Sequence, residues 1–301
     1  MMIKNEEIRF YVMGPIQMIF SSVSFAFMSY FAKLASYDVP STEVSFFRLA
    51  LGVFVTLVLV AQGRVKLMTE NFKLLFVRGI FGGIAVLLFF LALEKGTMTN
   101  SVVLQNTYPI FAALLSLYFL KEKVSLRLAF FLMLTFLGII VLIRPEIGSI
   151  RLGDIFALIS GLLGGLAVTA VRELRQKNES VWTIFFYFCV FGALISLLLA
   201  IPYWQWPHTR GWALILSTGV LGFIGQVTMT SSYKYCSTAV GGILSMSSSV
   251  FSFMIGFLLL GELVRVWDLI GVFLIIVGNV MVVVYDGDSP SQHQEMQKQF
   301  F

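Results

Sequence analysis

The stretch Phe111-Ala-Ala-Leu-Leu-Ser-Leu-Tyr-Phe-Leu120-Lys-Glu122-Lys-Val124 returns 140 positions later as Phe251-Ser-Phe-Met-Ile-Gly-Phe-Leu-Leu-Leu260-Gly-Glu262-Leu-Val264. Both copies are apolar runs closed by Leu-x-Glu-x-Val. Moving outward with the same shift, Phe46 falls on Phe186, Gly52 on Gly192, Gly79 on Gly219, Gly82 on Gly222, Leu104 on Leu244 and Gly138 on Gly278. Leucine and phenylalanine matches carry little weight in so apolar a chain. The glycines and the paired glutamates do carry weight, and the chain reads as an internal repeat.

Apolar runs of about 20 residues can cross a ~30 Å hydrocarbon core as helices. The sequence predicts ten, at 11–34, 41–62, 72–94, 97–119, 126–143, 154–174, 180–201, 211–233, 237–260 and 267–285. The first is too long for a signal-peptide core and has no small-residue cleavage site, so it is kept as a span. Each half holds five spans, an odd number, so the halves enter the membrane from opposite sides. Inverted repeats of this kind belong to secondary transporters, which hold substrate between the repeats near the midplane.

Composition agrees. Of 301 residues, 58% are hydrophobic and only 12% charged, half the charge of a soluble domain (about 25%); the mean hydropathy is +0.90. The fold class is an all-α polytopic membrane protein, multi-pass in the cell membrane, a bacterial inner membrane. A net charge of +5 could suggest nucleic acid, but the charges stand singly between apolar runs, where basic residues orient helices. With the N-terminus inside, fourteen Lys and Arg fall on the inner side, Arg64, Lys66, Lys73 and Arg78 among them, and six on the outer. Both termini are therefore expected in the cytoplasm. Cys189 and Cys236 sit inside apolar runs without disulfide or metal spacing, and His208 and His293 lie in a loop and the tail. Neither a cofactor nor a metal is implied.

The domain reading is a cytoplasmic segment 1–10, a first five-helix repeat 11–143, an extracytoplasmic linker 144–153, a second repeat 154–285, and a polar tail 286–301 that reads as disordered.

These features resemble the drug/metabolite transporter superfamily, EamA-like branch, along essentially the whole chain. The resemblance rests on Glu43-Val-Ser-Phe-Phe-Arg48, Arg78-Gly-Ile-Phe-Gly-Gly83, Ala92-Leu93, Tyr108-Pro-Ile-Phe111, Leu120-Lys-Glu122-Lys-Val124 and Gly138. The second half departs from it, with Ser249 where the first has Pro109 and Phe188 where it has Arg48. The resemblance implies ten helices, with spans five and ten peripheral and a cavity lined mainly by spans one, three, four, six, eight and nine. It is specific for the fold and weak for the substrate.

Polar side chains inside membrane helices normally face a cavity or another helix. Helical spacing groups Gln17, Ser21 and Ser24 on span one, Gln105 and Tyr108 on span four, Gln226 and Thr230 on span eight, and Ser245 and Ser248 on span nine. Amides, hydroxyls and phenols donate and accept, which suits a neutral or zwitterionic solute with an apolar part. The plain alternative for the serines is backbone bonding or close packing. Phe25, Phe27, Phe89 and Phe90 read as core or lipid-facing. Arg48, the one charge read as lying well inside a span, can snorkel, pair with Glu43 or anchor an anionic group. Glu122 and Glu262 end spans four and nine on opposite faces and read as capping or holding neighbouring helices rather than touching solute. No carboxylate falls at midspan, so proton coupling through a buried acid is not expected.

The predicted activity is secondary transport of small organic metabolites, amino-acid-like, nucleotide-derived, vitamin-like or drug-like, with efflux the expected direction, by a monomer or homodimer whose partners are its solute and membrane lipids. The competing classes are a membrane-embedded enzyme, which needs clustered Asp, His or Glu, and a non-transporting scaffold, which needs no polar stripes.

Overall fold

The computed structural model describes residues 2–122, 124–143 and 151–286. Lys123 of the quoted motif, linker residues 144–150 and the tail beyond 286, His293 included, lie outside them. The described residues form helices α1 (Met2–Ala35), α2 (Ser41–Ala61), α3 (Phe72–Lys95), α4 (Met98–Gln105), α5 (Tyr108–Phe119), α6 (Leu126–Ile143), α7 (Leu152–Gln176), α8 (Val181–Ala200), α9 (Thr209–Ser232), α10 (Thr238–Ser245), α11 (Ser247–Leu260) and α12 (Val266–Asp286). Among them nine segments are long and apolar enough to cross a membrane, and Leu126–Leu142 is a shorter apolar helix.

Spans four and nine, expected to be continuous, are each broken in the middle. The first break is at Asn106 and Thr107, the second at Met246, its counterpart under the 140-residue shift. The causes differ. Pro109 has no N–H to offer the carbonyl four residues back and its ring crowds that carbonyl. In the second half Ser245, Ser247 and Ser248 each donate a hydroxyl to the carbonyl three residues back, Gly242, Leu244 and Ser245 respectively, and so compete with helical bonding.

The packing repeats the sequence symmetry. α1 lies along α9 and α7 along α3, which are exchanged by the shift; α2 packs on α8, its own counterpart. A Cβ on Gly52 would meet Cys189 Sγ at 2.5 Å, and one on Gly192 would meet Leu49 Cδ1 at 2.8 Å. Positions 49 and 189 are themselves a repeat pair. Lipid tails give apolar helices no hydrophobic reason to associate, so contact depends on small residues that bring backbones close. Gly83 illustrates this: a Cβ there would stand 2.6 Å from the Gly192 Cα. α6 and α12 form a separate pair at the edge of the bundle, where Gly138 and Gly271 each abut the other's carbonyl.

Candidate substrate cavity

A cavity enclosing about 800 Å³ of free space, its mouth included, lies between the repeats. Its walls come from α1, α3, α4, α5, α7, α9, α10 and α11, with Arg48 reaching in from α2. α6 and α12 contribute no wall residue.

The broken helices meet on one wall. Asn106, in the first break, donates its amide to Ser248 Oγ and Ser249 Oγ, both at 2.7 Å. Tyr108 donates its hydroxyl to Ser245 Oγ at 2.5 Å. Interrupted helices facing each other across a repeat interface are the usual surroundings of a transported solute. α7 supports the first break: a Cβ on Gly161 would stand 2.9 Å from the Gln105 carbonyl oxygen, and one on Gly165 3.0 Å from that of Tyr108.

Of the residues singled out in the sequence, Ser21, Arg48, Gln105, Tyr108, Gln226, Ser245 and Ser248 line the cavity. Gln226 presents a buried Nε2 without a hydrogen-bond partner. Gln17, Ser24 and Thr230 are not wall residues. The hydroxyls of Ser24 and Thr230 are spent on the Phe20 and Gln226 carbonyls at 3.0 and 2.8 Å. Ser21 lines the cavity while donating to the Gly225 carbonyl at 2.7 Å, tying α1 to α9. Phe25 and Phe89 join the wall, Phe90 is buried beside it, and Phe27 is exposed.

The arginines require a correction. Arg48 does not pair with Glu43, whose Oε1 accepts instead from the Gln205 N–H at 2.7 Å. Nor is Arg48 the one charge inside the bundle. Arg78, counted in the sequence among loop charges, is 4% exposed and lines the same cavity, and Arg172 is fully buried. Arg78 lies six residues into an apolar run, a signal the sequence did offer. Asn106, Ser22 and Ser29 are further polar wall residues missed by the stripes.

At the two ends of the bundle the glutamates that close the repeats exchange caps. Glu122 Oε2 accepts from the N–H of Thr238, first residue of α10, at 3.0 Å; Glu262 Oε1 accepts from the N–H of Met98, first residue of α4, at 3.0 Å. Positions 98 and 238 are again a repeat pair. A carboxylate against a helix N-terminus meets its unpaired N–H groups and favourable dipole. Beside each cap a cation from the first helix of a repeat holds the equivalent carbonyl. Arg172 Nη1 donates to the Tyr233 oxygen at 2.8 Å, and Lys33 Nζ to that of Leu93 at 2.7 Å.

The sequence matches the EamA-like transporter family over residues 12–144 and again over 151–284. The chain belongs to the EamA-like transporter family. It is thus a multi-pass membrane transporter of small molecules rather than an enzyme. It is 27% identical over 273 residues to the pseudopaline exporter CntI of Pseudomonas aeruginosa strain UCBPP-PA14, covering 90% of this chain and 93% of that one. It is 26% identical over 226 residues to a riboflavin transporter of Vibrio cholerae, covering 73% and 76%. One solved crystal structure superposes with a TM-score of 0.73 at 17% identity, covering 91% of this EamA-like chain and 96% of the other. That last likeness concerns the fold alone.

Proposed function

We propose that this EamA-like protein exports small organic metabolites by alternating access, rocking the repeat 11–143 against the repeat 154–285 around the central cavity. Both termini face the cytoplasm, the linker 144–153 lies outside, and the unit is a monomer or homodimer that requires no nucleic acid. The observation that carries the mechanism is the exchange of caps. Glu122 of the first repeat holds the start of α10, and Glu262 of the second holds the start of α4. Each latch ties the two repeats together at one end of the cavity, so opening one while the other stays closed exposes the cavity to one side. The outward direction is supported by the exporter among the relatives.

Within this reading Ser21, Arg48, Gln105, Tyr108, Gln226, Ser245 and Ser248 touch solute, and Gln17, Ser24 and Thr230 act through packing. The test compares extracellular and intracellular metabolites, by mass spectrometry, in cells producing the natural protein or the Gln105→Leu variant at equal folded amounts. A solute enriched outside only with the natural protein supports export. One enriched inside overturns the direction, and identical profiles overturn transport through this cavity.

A further inference from the structure

Two guanidinium groups enter the cavity from opposite ends. Arg48 lies seven residues into α2 and Arg78 six residues into the antiparallel α3. At ~1.5 Å per residue each Cα is about 10 Å inside its own end of the bundle. Arg48 is 5% exposed and Arg78 4%. Each stands over an aromatic ring, Arg48 Cζ 5.4 Å from the Phe90 centroid and Arg78 Cζ 4.1 Å from that of Phe188. Each also fills the space left by a missing side chain: a Cβ on Gly222 would collide with the Arg48 guanidinium and one on Gly82 with that of Arg78. Gly82 and Gly222 are a repeat pair, so the fold keeps the same place free for a guanidinium in both halves.

Neither arginine has an acid. No Asp or Glu lines the cavity. Among the described residues the buried carboxylates are engaged elsewhere, Glu43 with Gln205, Glu179 with Thr69 and Asn71, and Asp268 with the Arg265 N–H, as are the half-buried Glu122 with Arg172 and Thr238 and Glu262 with Met98 and Thr99. Arg78 Nε has no hydrogen-bond partner at all. Arginine does not shed its proton in proteins, and a charge well inside a membrane helix is costly unless it is paired or faces a cavity. Contact with an aromatic ring recovers part of that cost. An aromatic ring is no acceptor for the strong hydrogen bonds that the N–H fork can make, the fork that takes a carboxylate or phosphate through two parallel bonds.

We infer that the cargo of this cavity is an organic anion, its carboxylate or phosphate held by Arg48 and Arg78 and its apolar part against Phe25, Phe89 and Met229. This departs from the neutral or zwitterionic solute that the Gln and Ser stripes suggest, and it rests on the cavity being the transport site. Gln226, with its free amide N–H, supplies a further donor on the same wall.

A cysteine at the wall position Val86, one turn beyond Gly82, reads the charge of the cavity without knowledge of the solute. In the purified Val86→Cys protein, a sulfonate-bearing methanethiosulfonate should outpace its trimethylammonium counterpart by about tenfold beyond the ratio measured on free 2-mercaptoethanol, as expected for a focused positive field. The unsubstituted protein, with Cys189 and Cys236 buried, is the blank. Adding Arg48→Gln and Arg78→Gln should abolish the preference, while Arg48→Lys and Arg78→Lys should keep it, which separates lost charge from lost folding. Citrate and inorganic phosphate at 50 mM should slow labelling only where the arginines are present; protection by citrate alone assigns a carboxylate and by phosphate alone a phosphoryl group. A ratio equal to the free thiol's, a ratio indifferent to the Gln variants, or protection by neither anion overturns the inference. Labelling needs no flux. An anion-selective cavity in a protein that moves nothing defeats the transport reading alone, and export of a neutral solute with a flat labelling ratio defeats this inference alone.

Discussion

The two ends of the bundle use the same backbone positions and different side-chain chemistry. At one end Arg172 Nε meets Glu122 Oε1 at 2.8 Å, both groups buried, and the same arginine holds the Tyr233 carbonyl. At the other end the charges are divided. Lys33 is spent on the Leu93 and Gly96 carbonyls, at 2.7 and 2.8 Å, and Glu262 on Thr99 and the Met98 N–H. Arg172 and Lys33 are also one residue out of register under the shift. A duplicated fold can therefore keep its latch points while giving each a different strength. Two latches of equal strength would leave the cavity without a preferred side, whereas unequal ones bias the resting state.

The largest effect should come from Glu122→Gln, which takes the Glu122 charge away from the buried Arg172 guanidinium. Breaking a buried ion pair from one side costs about 3–5 kcal/mol, seen as a marked fall in the melting temperature of the detergent-purified protein. Glu262→Gln should cost about 1–3 kcal/mol, since it removes only hydrogen bonds to a carboxylate. Equal losses from the two variants would break the comparison. Gly83→Ala should cost about 1–3 kcal/mol by overpacking, because its Cβ would meet the Gly192 backbone, whereas Gly164→Ala, with its nearest neighbour at 3.5 Å, should melt within about 0.5 kcal/mol of the natural protein.

Accessibility sharpens the point. Met229 and Ser29 line the cavity towards the Arg172 and Lys33 ends respectively. Loss of Glu122 should raise labelling of Met229→Cys about tenfold and loss of Glu262 that of Ser29→Cys, since tenfold corresponds to about 1.4 kcal/mol of population shift. The same site responding to both variants would deny that the latches act at separate ends. The smallest effect at either latch is that of Thr99→Ala, which removes one donor from Glu262 and should cost about 1 kcal/mol in melting experiments, with no change at Met229→Cys.

How much of this was legible varies by residue. The repeat, the helical class and the capping role of Glu122 and Glu262 follow from periodicity and spacing. The cavity was partly legible: a stripe such as Gln105 and Tyr108 marks a helix face, and that face does line the wall. Ser24 and Thr230 carry the same signal and are satisfied by their own helix, which spacing cannot reveal. Arg48 and Glu43 are five residues apart, off the three- and four-residue spacing that brings helical side chains together, and Gln205 from a distant loop takes the carboxylate.

The sequence by itself determined that the chain spans a membrane, because burying this many apolar residues and so few charges allows no other solvent, and that its halves are inverted, because five is odd. The breaks in spans four and nine have local causes, Pro109 and the serine run, but only the tertiary structure decided which groups face one another across them. It also decided that Arg78 turns into the cavity rather than to the membrane surface. These depend on contacts between residues 110 to 174 positions apart, among them Arg78 on Phe188, Arg48 on Gly222 and Asn106 on Ser248. A local pattern records the faces of each helix; what each face meets is settled only when the backbones pack.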